Sequence, residues 1–396
     1  MGRNDAVTMA AGLMTDFARR TGLGSQGGEP KRYLWTDSFA VCNFLELHRL
    51  TGERDFLDLA LRLVDQVHGT LGRHRPDDAR RGRISGLPEG EGEKHPTAGG
   101  LRIGKKVNEH GAGEPMDPQE EWDRDGQYLH YLTKWMRALA RVSDVTEDPR
   151  YLAWAIELAA VSQERFSYSL PGGGRRMYWK MSIDLSRPLV PSMGQHDALD
   201  ALLTYRELQL AELKHPNASF PDIRAAIDDA ASMCRGGSWA TDDPLGVGSL
   251  LVDAWRAARM EDGTTIALLR RIAAATVVSL TAIGDMDCEV PATRRLAFRE
   301  LGLSIGLHAA ELLEKGMNRE RIDGVIADQF DVLRSYASLG RRIESFWADP
   351  RNRDNALWEE HEDIDSVMLA TSLAPGGFLR IWTPEGRPVA VAEKLL

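Results

Sequence analysis

The sequence predicts an all-α chain in which six helical hairpins close into a ring. Three observations carry this: long segments place apolar residues at helical spacing, strand-like alternation is confined to short pieces, and helices with one wet face alternate with helices apolar on nearly all sides. At 396 residues and 43% apolar content, the chain can bury such a core. The same composition excludes disorder, collagen and a disulfide scaffold.

The half-wet helices come first. After Gly52, residues Phe56, Leu59, Ala60, Leu63, Val64 and Val67 recur at three and four, which is one apolar stripe on a helix. Comparable stripes run over about 6–20, 151–166, 220–234, 264–283 and 322–339. Between them lie helices with polar residues gathered at the start. They open at Trp35-Thr36-Asp37, Trp122-Asp123-Arg124-Asp125, Met193-Gly194-Gln195-His196-Asp197, Asp243-Pro244-Leu245-Gly246, Arg295-Leu296-Ala297-Phe298-Arg299 and Glu362-Asp363-Ile364-Asp365. These starts are 87, 71, 50, 52 and 67 residues apart, too irregular for a solenoid of fixed period. Six wet and six buried helices in alternation bury their apolar faces by closing on themselves, the buried set inside, in one domain over 1–396. The inner N-termini then share one end of the ring.

Two connections depart from bare hairpins. The inserted loop over about 74–121 holds nine glycines between Gly82 and Gly113, and loops of this length in compact domains are usually functional or disordered. With His95, Arg102, Lys105, Lys106, Asn108 and His110 it reads as a rim or lid over the inner-helix openings. Over 167–189, the turn cluster Pro171-Gly172-Gly173-Gly174 followed by Met177-Tyr178-Trp179-Lys180-Met181 predicts a short β-hairpin. Phe378 to Trp382, Pro384-Glu385-Gly386 and Val389 to Val391 predict another.

Charge and composition narrow the partners. With 59 acidic against 49 basic side chains the net charge is −10, so there is no basic footprint for nucleic acid or anionic lipid. Cys42, Cys234 and Cys288 are too few for a disulfide framework and form no Cys-x-x-Cys pair for zinc. The N-terminus shows no signal-peptide pattern, and no apolar run approaches a membrane span, so the expectation is a cytoplasmic protein with no membrane partner. No metal or cofactor is assigned, and the oligomeric state is left open.

An inner-helix start offers unpaired N–H groups and positive dipole, which suits a polar ligand and equally suits a capping Asp. Function is argued from convergence: Asp37, Asp123, Asp125, Asp197, Arg299, Glu362 and Asp365 share one rim with Trp35, Trp122, Tyr128 and His196. Sugars have apolar ring faces and polar edges, so a saccharide site combines aromatic platforms with carboxylates. Trp35, Trp122, Trp179, Trp239 and Trp358 are platform candidates, while Trp135, Trp154 and Trp255 read as core. Asp123 and Asp125 are two apart and would diverge by roughly 200° on a helix, so Asp125 is taken as the cavity acid and Asp123 as the cap. Tyr128 shares the Asp125 face, with His130 just beyond. Asp197 and Asp200 share another face, with His196 a candidate general acid/base. Asp125 and Asp197 together form a candidate carboxylate pair for glycoside cleavage.

The alternation and these Trp/Asp-rich starts resemble the six-hairpin glycosidase superfamily, the (α/α)6 toroids, which include unsaturated glucuronyl hydrolases, glucoamylase-like enzymes and the N-acylglucosamine 2-epimerase group. The resemblance implies a carbohydrate-active enzyme with a small saccharide substrate. In the unsaturated glucuronyl hydrolases an Asp protonates a vinyl ether and activates water, and Arg102, Lys105 or Arg299 would then bind the uronate carboxylate. An epimerase would use histidines, for which His110, His196 and His361 are available, and a non-catalytic carbohydrate-binding ring is the alternative from another class. Other α-toroids, the terpenoid cyclases and prenyltransferases, require acidic or zinc motifs that Asp285-Met286-Asp287-Cys288 and Asp242-Asp243 do not form. The segment from Gly99 to Lys106 likewise lacks the phosphate-loop pattern.

Overall fold

A computed structural model describes residues 2–24, 30–114, 117–260, 263–284, 290–316 and 324–381. In chain order its helices are α1 (Arg3–Arg20), α2 (Leu34–Thr51), α3 (Arg54–Leu71), α4 (Glu89–Lys94), α5 (Pro118–Asp123), α6 (Leu129–Thr146), α7 (Pro149–Phe166), α8 (Asp197–Glu212), α9 (Arg224–Cys234), α10 (Pro244–Arg259), α11 (Gly263–Ile283), α12 (Ala297–Gly316), α13 (Gly324–Ser335), α14 (Ala337–Ala348), α15 (Pro350–Arg353), α16 (Ala356–Glu360), α17 (Glu362–Leu373) and α18 (Gly376–Leu379). Five short strands join them: β1 (Gln127–Tyr128), β2 (Ser167–Ser169), β3 (Arg175–Met177), β4 (Lys180–Met181) and β5 (Pro188–Val190). The predicted alternation holds. Helices α8 and α17 are buried along most of their length, whereas α3 buries one stripe and wets the other. The chain divides into two compact units, a central one (21–45 and 54–237) and a terminal one (1–20, 46–53 and 238–396).

In the central unit α6 packs on α7 and α8, and α8 on α9. Pro at the first turn and an Asp cap fix the start of α7: Asp148 accepts the Arg150 amide, which satisfies one orphan donor. The predicted hairpin is β2 against β3, with Tyr168 opposite Arg176. Strand β4 then pairs antiparallel with both β1 and β5, tying the run before α6 to the run before α8.

Ion pairs pin the 74–121 segment to the unit. Arg80 reaches Asp78 at 2.7 Å, Glu109 at 2.6 Å and Asp184 at 2.9 Å, and its hydrogen bonds hold the Asp78 carboxyl well below the usual carboxylate range. Gly104 adopts φ +95°, and a Cβ there would lie 2.2 Å from the Arg32 carbonyl oxygen, so only glycine lets the two backbones meet.

In the terminal unit α10 crosses α12 at backbone distance. A Cβ on Gly248 would lie 2.0 Å from the Gly302 carbonyl oxygen, and one on Gly306 2.5 Å from the Gly248 Cα. Helix α17 packs on α1 and α12. Phe378 and Leu379, expected in a strand, belong to the short helix α18, where Pro375 accepts the Leu379 amide. Residues 382–391 of that predicted hairpin, and Asp285 to Cys288, lie outside the described residues.

Helix α11 corrects the expectation that no segment nears membrane-spanning composition. Among the described residues it alone is long and apolar enough, with mean hydropathy 1.7 over Ile266–Ile283. Arg270 and Arg271 interrupt the apolar run, yet the window's mean stays at 1.7 because the other residues are strongly apolar. A third of the window is buried, and Arg271 lies 4.4 Å over the Trp239 ring.

A buried polar cluster joins α12, α14 and α17. Glu344 Oε1 meets His308 Nε2 at 2.5 Å and accepts the Ser372 and Ser304 hydroxyls at 2.6 and 3.1 Å. Burial lowers the imidazole pKa, but the Glu344 hydrogen bond and charge outweigh it, so the net shift is upward; burial raises Glu344, and His308 outweighs that in turn. The histidine's contribution is full below its ordinary value of 6.5 and is lost as pH rises through the raised folded value. That of Glu344 is full above 4.5 and is lost as pH falls. Glu344→Gln is therefore expected to lower the urea midpoint near pH 6 more than near pH 9.

Candidate functional site

The central unit gathers an aromatic wall around one imidazole–carboxylate pair. The chain leaves α5 at Arg124, which is extended, and passes Gly126 at φ +149°; β1 then delivers Tyr128 to the start of α6. From the first turn of α6, His130 and Tyr131 face the Tyr128 ring at 5.2 Å each. Trp179, just before β4, lies 5.0 Å from Tyr128, 6.4 Å from His130 with near-parallel planes, and 6.0 Å from Trp122. Trp122 is 56% exposed, so its ring is available to a ligand. Behind this wall the Tyr131 and Tyr33 hydroxyls meet at 2.7 Å. Burial pushes the pKa of both phenols up, so they stay protonated.

His130 and Asp197 meet across α6 and α8. His130 Nδ1 lies 3.5 Å from Asp197 Oδ1, with the imidazole about a third exposed and the carboxylate buried. Asp197 Oδ2 is buried with no hydrogen-bond partner, and a Cβ on Gly194 would stand 2.3 Å from it. At that distance Nδ1 faces the Asp197 carboxylate without a hydrogen bond, an electrostatic contact that leaves Nε2 as the imidazole's other nitrogen. One helical turn along, Lys134 and the Thr133 hydroxyl bind Asp200, with Lys134 Nζ at 2.7 Å. The His130/Lys134 stripe of α6 thus meets the Asp197/Asp200 stripe of α8.

The other expected acids have different roles. Asp125 is fully buried, and its oxygens accept Arg102 Nη1 at 2.8 Å, the Gly104 amide at 2.9 Å, the Gly126 amide at 3.1 Å and Arg75 Nη1 at 3.4 Å. It clamps the 74–121 segment and is closed to solvent. Asp123 ends α5 and is exposed, so it is not the expected cap; Asp117 caps that helix through the Gln119 amide. Asp37 accepts the Tyr33 amide at 2.9 Å and Arg32 Nη1 at 3.3 Å, fastening the turn before α2. The helical divergence argument for Asp123 and Asp125 fails because the two flank a helix end.

The expected ligand contacts divide similarly. Arg102 also donates to the Arg73 and Thr70 carbonyls, which commits its guanidinium to the fold. His110 binds Glu121 at 2.6 Å through Nδ1 and faces Arg187 Nη1 at 3.2 Å through Nε2, so it is enclosed. Glu121 also holds Lys180 at 2.7 Å, and burial pulls that lysine's pKa down. Lys105 donates to the Trp122 carbonyl and stands 5.1 Å over the Trp122 ring. Trp35 is buried against Phe39 at 4.5 Å, so it is core and not platform. Trp154, expected in the core, is partly exposed and donates to the Lys94 carbonyl. His196 precedes α8 half-exposed, with no side-chain cap bond.

Arg299, Glu362 and Trp358 belong to the terminal unit. Arg299 is paired with Asp243 at 2.6 Å, and Glu362 with Arg20 at 3.1 Å. Trp358 is buried, stacked 5.7 Å from Trp347, and Trp239 is buried as well. Among the described residues no group of three or more His, Cys, Asp or Glu stands close enough to hold a metal ion.

No protein-family model matches the sequence, and no curated protein matches it significantly. Solved structures do. The GH76A α-1,6-mannanase from Salegentibacter sp. HEL1_6 superposes with TM-score 0.50 at 11% identity, over 93% of this chain and 99% of the mannanase. A variant of that enzyme inactivated at two consecutive aspartates, in complex with an α-1,6-linked mannotetraose, gives TM-score 0.52 at 10% identity over the same shares. A cellobiose 2-epimerase from Spirochaeta thermophila DSM 6192 aligns with 98% of this chain and 91% of its own, at 14% identity and TM-score 0.48. The chain therefore has the (α/α)6 six-hairpin fold.

Proposed function

We propose that this chain is a carbohydrate-active enzyme that moves a proton on a bound neutral saccharide, with His130 as the base, Asp197 as its supporting carboxylate, and Trp122 and Trp179 as the sugar platform, backed by the buried Tyr128 ring. The observation that carries the reading is the His130–Asp197 pair, partly exposed on one side and enclosed by aromatic rings. A two-carboxylate displacement needs two available acids, and Asp125, Asp200 and Glu121 are each held by cationic partners. A uronate needs an available cation, yet Arg102 and Arg299 are ion-paired and Lys105 is bonded to a carbonyl. What remains is single-site acid/base chemistry of the sugar epimerase or isomerase type. His130 takes the proton from the carbon beside a reducing-end carbonyl, the electron pair moves onto the carbonyl oxygen, and the proton returns on the other face.

Glycoside hydrolysis is the second reading. The unpartnered Asp197 Oδ2 favours it, because a protonated Asp197 would stand ready to donate to a glycosidic oxygen. Turnover of neutral disaccharides and unsaturated uronides in D2O, followed by NMR, separates the possibilities. Epimerisation places deuterium on the carbon next to the carbonyl. Hydrolysis creates a new reducing end without carbon-bound deuterium, and hydration of an unsaturated uronide labels the former double bond. No turnover on any of them sinks the enzymatic reading.

Trp122→Ala is expected to raise KM about 3–10-fold, equivalent to the ~0.5–1.5 kcal/mol of an aromatic contact, with no loss of thermal stability because the ring is more than half exposed. Saturation kinetics and a melting curve on the variant check both parts.

A further inference from the structure

The seam between α6 and α8 carries charge in two neighbouring rungs, and they are built differently. Lys134, one turn after His130, sets its ammonium 2.7 Å from Asp200 Oδ2, and the two side chains are 13% and 6% exposed. The Thr133 hydroxyl touches both rungs: it lies 3.0 Å from the His130 carbonyl oxygen and within hydrogen-bond reach of Asp200 Oδ2. The Asp200 backbone is fixed as well, because its amide donates to the His196 carbonyl at 2.9 Å in the first turn of α8. Asp197, three residues earlier on the same face, meets no lysine or arginine among the described residues. Its charge faces His130 alone.

We propose that Lys134 is a positioning residue for the base: it takes up the Asp200 charge, so that Asp197 is the one carboxylate left to stabilise the imidazolium of His130. The role rests on the reading of His130 as the base and names the pair that sets its basicity.

The argument is Coulombic. A unit charge one helical turn from an ionising group moves its titration by about 0.5–1.5 pH units at the effective dielectric of a half-buried site. With Lys134 and Asp200 both in place their effects oppose each other at His130. Without the ammonium, the Asp200 charge adds to that of Asp197, favours the imidazolium and leaves less free base. Without the Asp200 charge, the ammonium disfavours the imidazolium. The paired rung therefore lets His130 take a proton and return it, as acid/base work on a carbon requires.

The titratable groups on the other elements packed against α6 are engaged elsewhere. From α7, Glu157 is held by His95 at 2.6 Å, and Arg150 by Asp148 at 2.7 Å. From α3, His68 accepts the Trp135 indole N–H at 3.1 Å, and beside β1 Lys180 is held by Glu121 at 2.7 Å. Farther along the seam Arg137 meets Glu207 at 3.2 Å. Burial pushes up the pKa of the Tyr128 and Tyr131 phenols beside the ring, so they stay neutral.

Four proteins test the proposal: the parent, Lys134→Met, Asp200→Asn and the double variant. The His130 ring is titrated by NMR on histidine-labelled protein, its signal assigned by its loss in His130→Gln, and pH profiles of turnover are recorded on any sugar that reacts. The midpoint is expected to rise by about 0.5–1.5 pH units in Lys134→Met, to fall by a similar amount in Asp200→Asn and to return to the parental value in the double variant. The acid limb of kcat is expected to follow, with KM unchanged. Lys134→Arg, which keeps the charge, is expected to titrate as the parent does. A midpoint unmoved in Asp200→Asn, or one that moves the same way in both single variants, overturns the proposal and makes the rung structural. If Lys134→Met does not fold, Asp200→Asn decides alone. The expected midpoints without turnover on any sugar uphold the charge coupling and sink the enzymatic reading, so the two failures are told apart.

Discussion

Replacing His130 by glutamine is expected to lower turnover by about 10²–10⁴-fold, the usual contribution of a positioned acid/base, while leaving the melting temperature almost unmoved. The imidazole is about a third exposed and makes no hydrogen bond through its buried Nδ1, so its removal costs little packing and leaves no donor orphaned. Asp197→Asn is expected to follow in the same direction with a smaller loss, because the amide keeps the shape of the pair but no longer stabilises an imidazolium. Gly194→Ala offers a third route that alters neither residue: the added methyl would stand 2.3 Å from Asp197 Oδ2 and turn that carboxylate away from its place. A common loss of kcat in the three variants, with urea midpoints near the parent's, supports the pair. Loss of activity that tracks loss of folded protein would assign His130 a packing role.

The alternation of helices was legible because it is written locally. Helix α8 is buried on nearly all sides along its body, whereas α3 keeps a wet, charged face at every turn. The site was legible only in part, because the partner of each acid is remote. Arg102 stands 23 residues before Asp125 and Arg75 fifty, and no local spacing announces that both will enclose it. The same distance hid His130, which is 67 residues from Asp197. A signal did exist: His130 and Lys134 at i and i+4 on one buried helix, and Asp197 and Asp200 at i and i+3 on another, are complementary charged stripes in otherwise apolar helices. The true start of α6 was hidden because the chain turns extended at Arg124, passes Gly126 at φ +149° and forms β1 before the helix begins, within a segment whose composition reads as continuous helix.

Asp125→Ala is expected to destabilise the protein by about 3–5 kcal/mol, the cost of breaking a buried ion pair from one side. The loss would leave the Arg102 guanidinium, 8% exposed in its side chain, and the Gly104 amide without their acceptor. Asp125→Asn should also destabilise, since an amide presents N–H groups to a guanidinium that has none to accept. The consequence reaches the site through the chain and not through chemistry: Asp125 ties Gly104 and Arg102 to the run that leads into β1, and Tyr128 of the aromatic wall is two residues beyond Gly126. Chemical denaturation decides the matter. Midpoints that fall in both variants identify a clamp. A parental midpoint with turnover abolished in Asp125→Asn would return Asp125 to the role of reacting acid, and would restore the two-carboxylate mechanism with Asp197 as its partner.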